Sequence, residues 1–223
     1  MNILAVDIGG THLKFRTQRH IQPVKVKSGK KMTPEKMMAA VNQVAAHWKY
    51  DHVSLGYPGP VVHDRPLAEP HNLGEGWVKF NYKKAFGNKP LRLLNDAAMQ
   101  ALGGYKGGRM LYLGLGTGLG SALVIDGVVQ AMEVAHQRWK KGKTYEEFIG
   151  AAGLKRGGRK KWLRHVHEVI ADLRQVMQTD YVVLGGGNAK LVRKLPPKVF
   201  LGANADAFKG AFLIWKKQHS TSR

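Results

Sequence analysis

A carboxylate stands at the end of a predicted buried strand in residues 91–102 (LRLLNDAAMQAL). The leucine-rich run stops at Asn95-Asp96, and residues with high helix propensity follow at once. The pattern predicts a strand that turns directly into a helix, and the carboxyl ends of strands are where open α/β sheets place their chemistry. Asp96 also fits a helix N-cap, which is the simpler explanation for this segment taken alone.

Three glycine turns each follow an apolar strand. They are Asp7-Ile8-Gly9-Gly10-Thr11, residues 114–120 (GLGTGLG) and Gly185-Gly186-Gly187. Glycine lets backbone N–H groups converge on an anion, and the hydroxyls of Thr11 and Thr117 add donors. Asp7 could hold a hydrated Mg²⁺ against bound phosphates. Each turn alone is also a common structural element. The set does not match the Walker pattern. It does not match a dinucleotide fingerprint either, because a predicted strand and not a helix follows Gly120.

Hydrophobic periodicity predicts the elements that position these groups. The predicted strands are residues 2–6, 12–17 and 21–27 in an antiparallel meander, 52–57, 110–115, a hairpin of 121–125 and 128–132, and 181–184. Thr33 caps a predicted helix that runs to about Trp48. A long amphipathic helix begins near Trp162, with Val176 on its apolar stripe, and a last helix covers about 205–217. We interpret residues 63–90 as a functional loop region, and residues 137–161 as basic and glycine-containing.

Charge is the outlier in the composition. The 223 residues include 36 Lys and Arg against 15 Asp and Glu, a formal net charge of +21. Such an excess favours polyanionic partners, although a generally basic solvated surface would give the same count. The absence of Cys excludes disulfides and thiolate metal sites. No run is long enough for a membrane span, and the first residues are typical of a strand instead of a signal peptide, so we expect a cytoplasmic protein.

Seven motifs occur in an order that resembles a known family. They are DIGGTHLK (residues 7–14), GYPGPV (56–61), HNLGEGW (71–77), LLNDAAMQALG (93–103), LGLGTGLGSALVIDG (113–127), MEVAH (132–136) and VVLGGGNAK (182–190). The chain resembles the ROK sugar kinases of the actin-like ATPase superfamily, and most of all their polyphosphate glucokinase branch. None of the motifs is specific alone, but together they span nearly the whole chain.

The resemblance implies a role for each matching position. Asp7, Gly9, Gly10, Thr11 and Lys14 correspond to a first phosphate loop, Gly116, Thr117 and Gly118 to a second, and Gly185, Gly186 and Gly187 to the nucleoside side. Asn72, Asn95, Asp96, Glu133 and His136 correspond to hexose contacts, with Asp96 as the base. The chemistry agrees, because amides, carboxylates and imidazole can position sugar hydroxyls and a phosphoryl acceptor needs a carboxylate in reach.

Two departures from the family pattern matter. Ala135 takes the glycine position of the ExGH pattern, and we expect it to be tolerated unless the backbone there needs a positive φ. The zinc-binding Cys cluster of many members is absent, so His136 is expected to contact sugar, with a core-facing histidine as the alternative. Trp77 fits a wall of the sugar pocket and core packing equally well.

The resemblance implies an α/β, two-lobed ribonuclease H-like fold with the active site in the cleft between lobes. Residues 1–105 would form one lobe and 106–223 the other, with the last helix packing back on the first. The implied reaction transfers a terminal phosphoryl group from polyphosphate, ATP or both to the 6-hydroxyl of glucose, with Mg²⁺ and without zinc. A homodimer is implied, with no membrane contact and only incidental nucleic-acid binding.

Three alternatives stay open. An ATP-only glucokinase or another ROK hexose kinase would need no polyphosphate. A sugar-responsive DNA-binding regulator shares the family core, but such proteins carry an N-terminal helix-turn-helix and this sequence opens on a strand. A catalytically silent polyanion binder is disfavoured by the intact Asp7 and Asp96.

Overall fold

The computed structural model describes residues 1–203 and 205–216. The first half of the chain forms β1 (Ile3–Ile8), β2 (His12–Arg16), β3 (Val24–Lys27), α1 (Pro34–Val44), β4 (His52–Tyr57), β5 (Val61–Val62), β6 (Arg65–Pro66), α2 (Tyr82–Ala85), β7 (Leu91–Asn95) and α3 (Asp96–Gly104). The second half forms β8 (Arg109–Leu115), β9 (Leu119–Ile125), β10 (Val128–Met132), α4 (Tyr145–Ile149), α5 (Ala151–Met177), β11 (Tyr181–Gly185), β12 (Val199–Leu201) and α6 (Asp206–Leu213). None of the helices in this described part is long and apolar enough to cross a membrane.

The two large sheets have the same topology. The first has the order β3-β2-β1-β4-β7 and the second the order β10-β9-β8-β11-β12. In each sheet an antiparallel meander comes first and parallel strands extend it on one side. The carboxyl ends of the parallel strands therefore lie at one edge of each sheet, which is where the glycine turns after β1 and β8 are also found.

The first sheet is closed on one face by α1. Thr33 accepts a hydrogen bond from the backbone N–H of Lys36 and caps this helix, as predicted. Met37 and Val41 enter the core beneath β1, all six residues of which are buried. The helix ends at Val44, earlier than predicted, and Trp48 beyond it stacks on His20 with ring centroids 4.3 Å apart.

The long helix α5 differs from its prediction at both ends. It begins at Ala151 instead of near Trp162, so part of the segment predicted only as basic and glycine-containing is helical. Gly158, at φ 69°, kinks it in that segment. The predicted stripe packs against β8 and β11 through Trp162 and Val166, but Val176 is 73% exposed and does not belong to it.

Two helices lie between the sheets. Helix α3 packs on β8 and β9, and α6 packs on β1 and β4 as well as on α3. Where α3 and α6 cross, a Cβ on Gly103 would overlap the carbonyl oxygen of Asp206, and one on Gly210 would overlap that of Met99. The helix backbones are therefore in direct contact, an approach that only glycine permits.

The last helix is shorter than predicted. It covers Asp206–Leu213, and Lys217, the predicted end, lies outside the described residues. The Ser54 hydroxyl donates to the carbonyl of Ala211 at 2.7 Å, which ties α6 to β4 of the first sheet. The division into lobes at residues 105 and 106, with this helix assigned to the first lobe, stays a prediction.

The α3–α6 crossing makes Gly103→Ala a sharp test. Alanine is the better helix former by up to about 1 kcal/mol, so propensity alone predicts stabilisation. Because the added methyl group meets backbone atoms that cannot move aside, we expect a loss of roughly 1–3 kcal/mol or more in unfolding free energy, measured by urea denaturation.

The matched control for this prediction is Gly157→Ala in α5. The nearest atom to its Cβ is the flexible Lys161 Cδ at 3.4 Å, so no loss is expected there. A Gly103→Ala protein as stable as the wild type would show that the crossing tolerates a wider spacing.

Candidate active site

Asn95 caps α3, and Asp96 is the first residue of the helix. The Asn95 Oδ1 accepts from the backbone N–H of Ala98 at 3.1 Å, while its Nδ2 donates to the carbonyl of Gly59 at 3.0 Å. Asn95 is only 7% exposed. The N-cap function that the sequence left open for Asp96 thus falls to its neighbour. Asn95 keeps one side-chain N–H for a ligand, which limits its predicted hexose contact.

The carboxyl of Asp96 is held in an unusual electrostatic environment. Its pKa is raised from 3.8 to about 7, chiefly because protein atoms surround it and remove water, and next because of repulsion from Asp7. Glu133 adds a smaller repulsion, whereas the backbone N–H of Ala97, at 2.7 Å from Oδ1, and the ammonium of Lys14 act in the opposite direction. A carboxyl with a pKa near neutrality suits proton transfer.

Asp7 belongs to β1 and not to the turn in which the sequence placed it. It is 5% exposed and lies opposite Lys14 in the β1–β2 pairing, where the Lys14 Nζ contacts Oδ2 at 2.8 Å. The ammonium group offsets part of the cost of burying this carboxylate. The strand positions Asp7 rigidly at the carboxyl edge of the sheet, close enough to Asp96 to repel it.

The turn after β1 is a compact loop against Asn72. The Gly9 N–H donates to the carbonyl of His12 at 3.1 Å, and Thr11 is exposed. A Cβ on Gly10 would lie 2.9 Å from the Asn72 Cβ, so glycine lets the loop and Asn72 approach each other. The structure thereby brings Asn72 to the first loop, and its hexose contact stays a prediction.

The second and third glycine loops pack on each other. Gly116, Thr117 and Gly118 form the tight turn between β8 and β9, with Thr117 exposed. Asn188 holds this turn by donating its backbone N–H to Leu115 at 2.9 Å and its Nδ2 to Gly116 at 3.1 Å.

Within the third loop the three glycines differ in their surroundings. Gly186 adopts φ +80°, Gly187 has open space around its Cα, and Gly185 lies inside β11. A Cβ on Gly185 would overlap the Tyr112 hydroxyl, so packing requires that glycine. Gly186 and Gly187 are the two that face solvent.

The N-terminus of α5 also meets the second loop. Gly150 caps the helix, and the Ala151 N–H donates to the carbonyl of Thr117 at 3.1 Å. The positive end of the helix dipole therefore lies beside the Gly116–Gly118 turn. Together with the loop N–H groups it forms an environment that favours an anion.

Glu133 and His136 follow β10 and are both exposed. Partial burial raises the Glu133 pKa, His136 opposes this rise, and Glu146 adds to it. Ala135, between them, is buried and is not among the residues with positive φ, so the expected tolerance of alanine is explained.

Glu146 is a site residue that the sequence analysis missed. Its Oε2 accepts from the backbone N–H of Leu119 at 3.0 Å, and a Cβ on Gly118 would overlap this carboxylate. It therefore places a negative charge at the second loop, close enough to Glu133 to raise the pKa of that carboxyl. The signal was present in Thr144-Tyr145-Glu146-Glu147, because only Glu147 has the spacing of a capping box with Thr144, which leaves Glu146 free to turn toward the loop.

An aromatic and ionic clamp fixes the segment that follows His136. The Trp139 ring packs against Phe148 and His165, and its Nε1 donates to Asp172 at 2.9 Å. Lys140 pairs with Glu168 at 2.9 Å. In residues 1–203 and 205–216, no group of three or more His, Cys, Asp or Glu side chains could hold a metal ion. Contacts to α4 and α5 hold this segment beside Glu133 and His136.

Trp77 is a core residue. It is completely buried among the side chains of the first core cluster, with the Tyr57 ring 6.0 Å away. The Tyr82 hydroxyl donates to its carbonyl at 2.9 Å. Of the two roles that the sequence allowed, core packing is therefore the correct one.

Solved structures show which fold this arrangement has. An inorganic polyphosphate/ATP-glucomannokinase from Arthrobacter sp. strain KM matches with a TM-score of 0.79 and 21% identity, over 96% of this chain and 97% of that one. A ROK glucokinase from Streptomyces griseus with glucose and AMPPNP gives 0.74 and 17%, over 95% and 98%. A ROK hexokinase from Thermus thermophilus gives 0.71 and 20%, over 95% and 96%. The predicted α/β, two-lobed ribonuclease H-like fold is confirmed.

The family follows from the sequence model. Residues 3–135 match the model of the ROK family, and this is more than half of the 223-residue chain. The chain therefore belongs to the ROK family, as the motifs predicted. No curated protein matches the sequence.

The raised pKa of Asp96 predicts a pH-dependent stability. Folded protein keeps the Asp96 proton up to about pH 7, whereas the unfolded chain releases it near its ordinary pKa of 3.8. Between these values the folded state binds more protons, so the stabilisation from the protonated form is lost as pH rises. Asp96→Asn cannot ionise, so it should exceed wild type in unfolding free energy by up to roughly 4 kcal/mol above pH 7.

Urea denaturation without ligands at several pH values from 4 to 9 measures this difference. The advantage of Asp96→Asn should shrink toward zero as pH falls to about 4. The control is Asp126→Asn in the exposed β9–β10 turn, which removes a carboxylate at the surface. If the difference in unfolding free energy between Asp96→Asn and wild type does not change with pH, the raised pKa of Asp96 is contradicted.

Proposed function

We propose that the protein is a hexose kinase that transfers a terminal phosphoryl group from polyphosphate, ATP or both to the 6-hydroxyl of glucose. The observation that carries the proposal is the raised pKa of the Asp96 carboxyl, which lies near 7. This carboxyl lies at the edge of the sheet where β1, the strand that carries Asp7, also ends. Structural similarity to kinases whose names include glucomannokinase, glucokinase and hexokinase supports it.

Asp96 would act as the general base. The sugar hydroxyl gives its proton to the carboxylate while its oxygen forms a bond to the terminal phosphorus, and the bond from phosphorus to the bridging oxygen breaks. A base with a pKa near 7 is ionised in a useful fraction at neutral pH and still binds the proton well. Most of the acceleration would come from positioning and from neutralising the phosphates.

The residues around Asp7 fit a hydrated Mg²⁺. Asp7 and Asp96 repel each other, and a divalent cation between carboxylates and phosphates relieves such repulsion. Mg²⁺ is commonly held by one or two carboxylates together with substrate phosphates. Asp7 would hold the ion through water, and the bound ion would neutralise charge on the phosphoryl group. Lys14, already paired with Asp7, would add a positive charge.

Hexose recognition would use the polar groups on both sides of Asp96. Asn72 lies against the first loop, and the remaining N–H of Asn95 adds one donor. Glu133 and His136 are exposed at the end of β10, with Glu146 next to Glu133. These amide, carboxylate and imidazole groups can both accept from and donate to sugar hydroxyls.

A coupled assay for glucose 6-phosphate, with ATP and then with polyphosphate, tests the activity. Asp96→Asn should fold normally and lower kcat by roughly 10²–10⁴, the range for loss of a general base. Wild-type turnover with either donor supports a hexose kinase. Near-normal kcat in a folded Asp96→Asn variant would reject Asp96 as the base, and no turnover of glucose or related hexoses would reject the function.

Polyphosphate as donor is supported by where the basic clusters lie. The first cluster consists of Lys25, Lys27, Lys30, Lys31 and Lys36, all exposed. Lys25 lies opposite Lys14 in the β2–β3 pairing, and Ser28 between the lysines donates its hydroxyl to the carbonyl of Gly9. This cluster therefore begins at the first glycine loop.

The second basic cluster begins at the second glycine loop. It consists of Arg138, Lys140, Lys141, Lys143, Lys155, Arg156, Arg159, Lys160, Lys161 and Arg164. Three members have structural contacts, because Arg156 donates to the Glu147 carbonyl, Arg159 to that of Leu191 and Lys140 pairs with Glu168. Lys155 and Lys160 are exposed on α5, whose N-terminus touches Thr117, and in the described part of the chain neither has an ion-pair partner.

These positions predict a salt-sensitive use of polyphosphate. Its KM should rise steeply with salt because each neutralised phosphate releases counterions, with a log–log slope of roughly 0.7 per contact by analogy with single-stranded nucleic acid. ATP-driven turnover should respond much less. Steady-state kinetics from 25 to 300 mM salt would be compared for the two donors.

The double variant Lys155→Glu/Lys160→Glu should raise the polyphosphate KM and leave the glucose KM unchanged. Arg156 is left intact because it supports backbone structure. The matched control is Arg19→Glu/Lys49→Glu, two exposed cations outside both clusters. If ATP supports turnover at low salt and polyphosphate does not, the enzyme is an ATP-only kinase and the clusters are surface charge.

A further inference from the structure

A cavity of about 740 Å³ opens in the region of residues 63–90, which the sequence marked as functional. One wall is the β5–β6 hairpin with His63, Asp64 and Arg65, and the facing wall is the segment 78–83. The start of β7 and the Trp215 side chain complete the lining. Its volume lies within the range of small-molecule sites, about 300–1,000 Å³.

The walls of this cavity are held by specific contacts. His63 and Asp64 form the hairpin tip with φ of 49° and 60°, which is uncommon for residues other than glycine. The Asp64 Oδ1 accepts from the Leu93 N–H at 2.8 Å and from the Arg92 Nε at 3.1 Å, so the tip is anchored to the free edge of β7. Such non-glycine conformations persist where surrounding contacts impose them.

Trp215 is fixed as well. Its Nε1 donates to the Ser54 hydroxyl at 2.8 Å, and its ring meets the His52 ring edge-on with centroids 4.6 Å apart. With Val78 and Phe80 it gives the cavity lining apolar surface. A ligand with a ring or other apolar portion would be covered there.

Among its charged residues the cavity has mostly cations. Arg65, Lys79, Lys83 and Arg92 line it, and Asp64 is its one acidic residue. Asp64 is already engaged by Arg92 and by a backbone N–H, and no ion pair within the described ranges involves Arg65, Lys79 or Lys83. Like charges this close together repel one another, and a bound anion relieves that repulsion.

This cavity is separate from the candidate active site. It is lined by Leu91 and Arg92 at the start of β7, whereas Asn95 and Asp96 stand at the other end of the strand. Four residues of strand span about 13 Å. None of the residues assigned to hexose or phosphate-loop contacts lines the cavity.

We propose that this cavity is a second ligand site, which binds an organic phosphate of nucleotide or sugar-phosphate size. Lys79, Lys83 and Arg65 hold the phosphate, and the apolar surfaces of Val78, Phe80 and Trp215 cover the organic portion. Lysine ammonium and arginine guanidinium groups are the usual phosphate donors in proteins. The site stands whether or not the catalytic proposal is correct, because it shares no residue with it.

The test follows the Trp215 indole N–H by NMR in the full chain, assigned with Trp215→Phe. Titrations use AMP, glucose 6-phosphate, adenosine and inorganic phosphate. AMP or glucose 6-phosphate should shift this resonance saturably, and the tighter of the two identifies the source. Adenosine and phosphate should bind at least tenfold more weakly, since each supplies only half of the contacts.

Lys79→Glu/Lys83→Glu should weaken that binding at least tenfold, while Arg19→Glu/Lys49→Glu should leave it unchanged. Binding at Trp215 in Asp96→Asn should equal that of wild type, which separates this cavity from the catalytic site. The proposal is overturned if no organic phosphate shifts the resonance, if inorganic phosphate alone binds as tightly, or if charge reversal at Lys79 and Lys83 has no effect.

Discussion

The direct backbone contact between α3 and α6 is the constraint on which the rest of this structure depends. Gly103 and Gly210 let the two helices approach until main-chain atoms touch, and both helices lie between the sheets. Since α3 begins with Asp96, the same contact fixes how far this carboxyl projects toward the glycine loops. A wider crossing would press α3 against β9, where the Gly120 position already leaves room for no more than the Ala97 methyl.

The candidate site is acidic, whereas the chain as a whole is strongly basic. The chain carries a formal charge of +21, yet the carboxyl of Asp96 is close enough to Asp7 and Glu133 to be repelled by both. Removing water from Asp96 raises its pKa, and only Lys14 and one backbone N–H counter this locally. An acidic centre within a strongly basic chain concentrates the field of the molecule around the carboxyl of Asp96.

The second half of the chain builds its loops by mutual support. The Gly116–Gly118 turn receives contacts from Asn188, from the N-terminus of α5 and, at Leu119, from Glu146. The Trp139 clamp then fixes the segment between His136 and α4 on the same helix α5. Because α5 contacts both the glycine loop and the Trp139 segment, the loop and the Glu133 side of the site are positioned together.

The sequence by itself determined most strands of the two large sheets, the glycine turns and the family, but not β12 or the β5–β6 hairpin. Alternation of buried and exposed residues and turn-forming dipeptides such as Asp126-Gly127 are local properties, and the motif order is carried by the chain alone. Segment ends were less accurate, as at Val44 and Ala151, because tertiary packing decides where a marginal turn of helix stays folded.

Only the tertiary structure decided how the side chains are used. It made Asn95 and not Asp96 the cap, placed Asp7 within β1 opposite Lys14, and buried Trp77 in the core. Glu146 contacts the second loop at Leu119, which is 27 residues away in the sequence. Trp215, beside β7, contacts Ser54, which is 161 residues away. Such contacts depend on the three-dimensional path of the backbone, and neither residue type nor periodicity records which distant segments that path brings together.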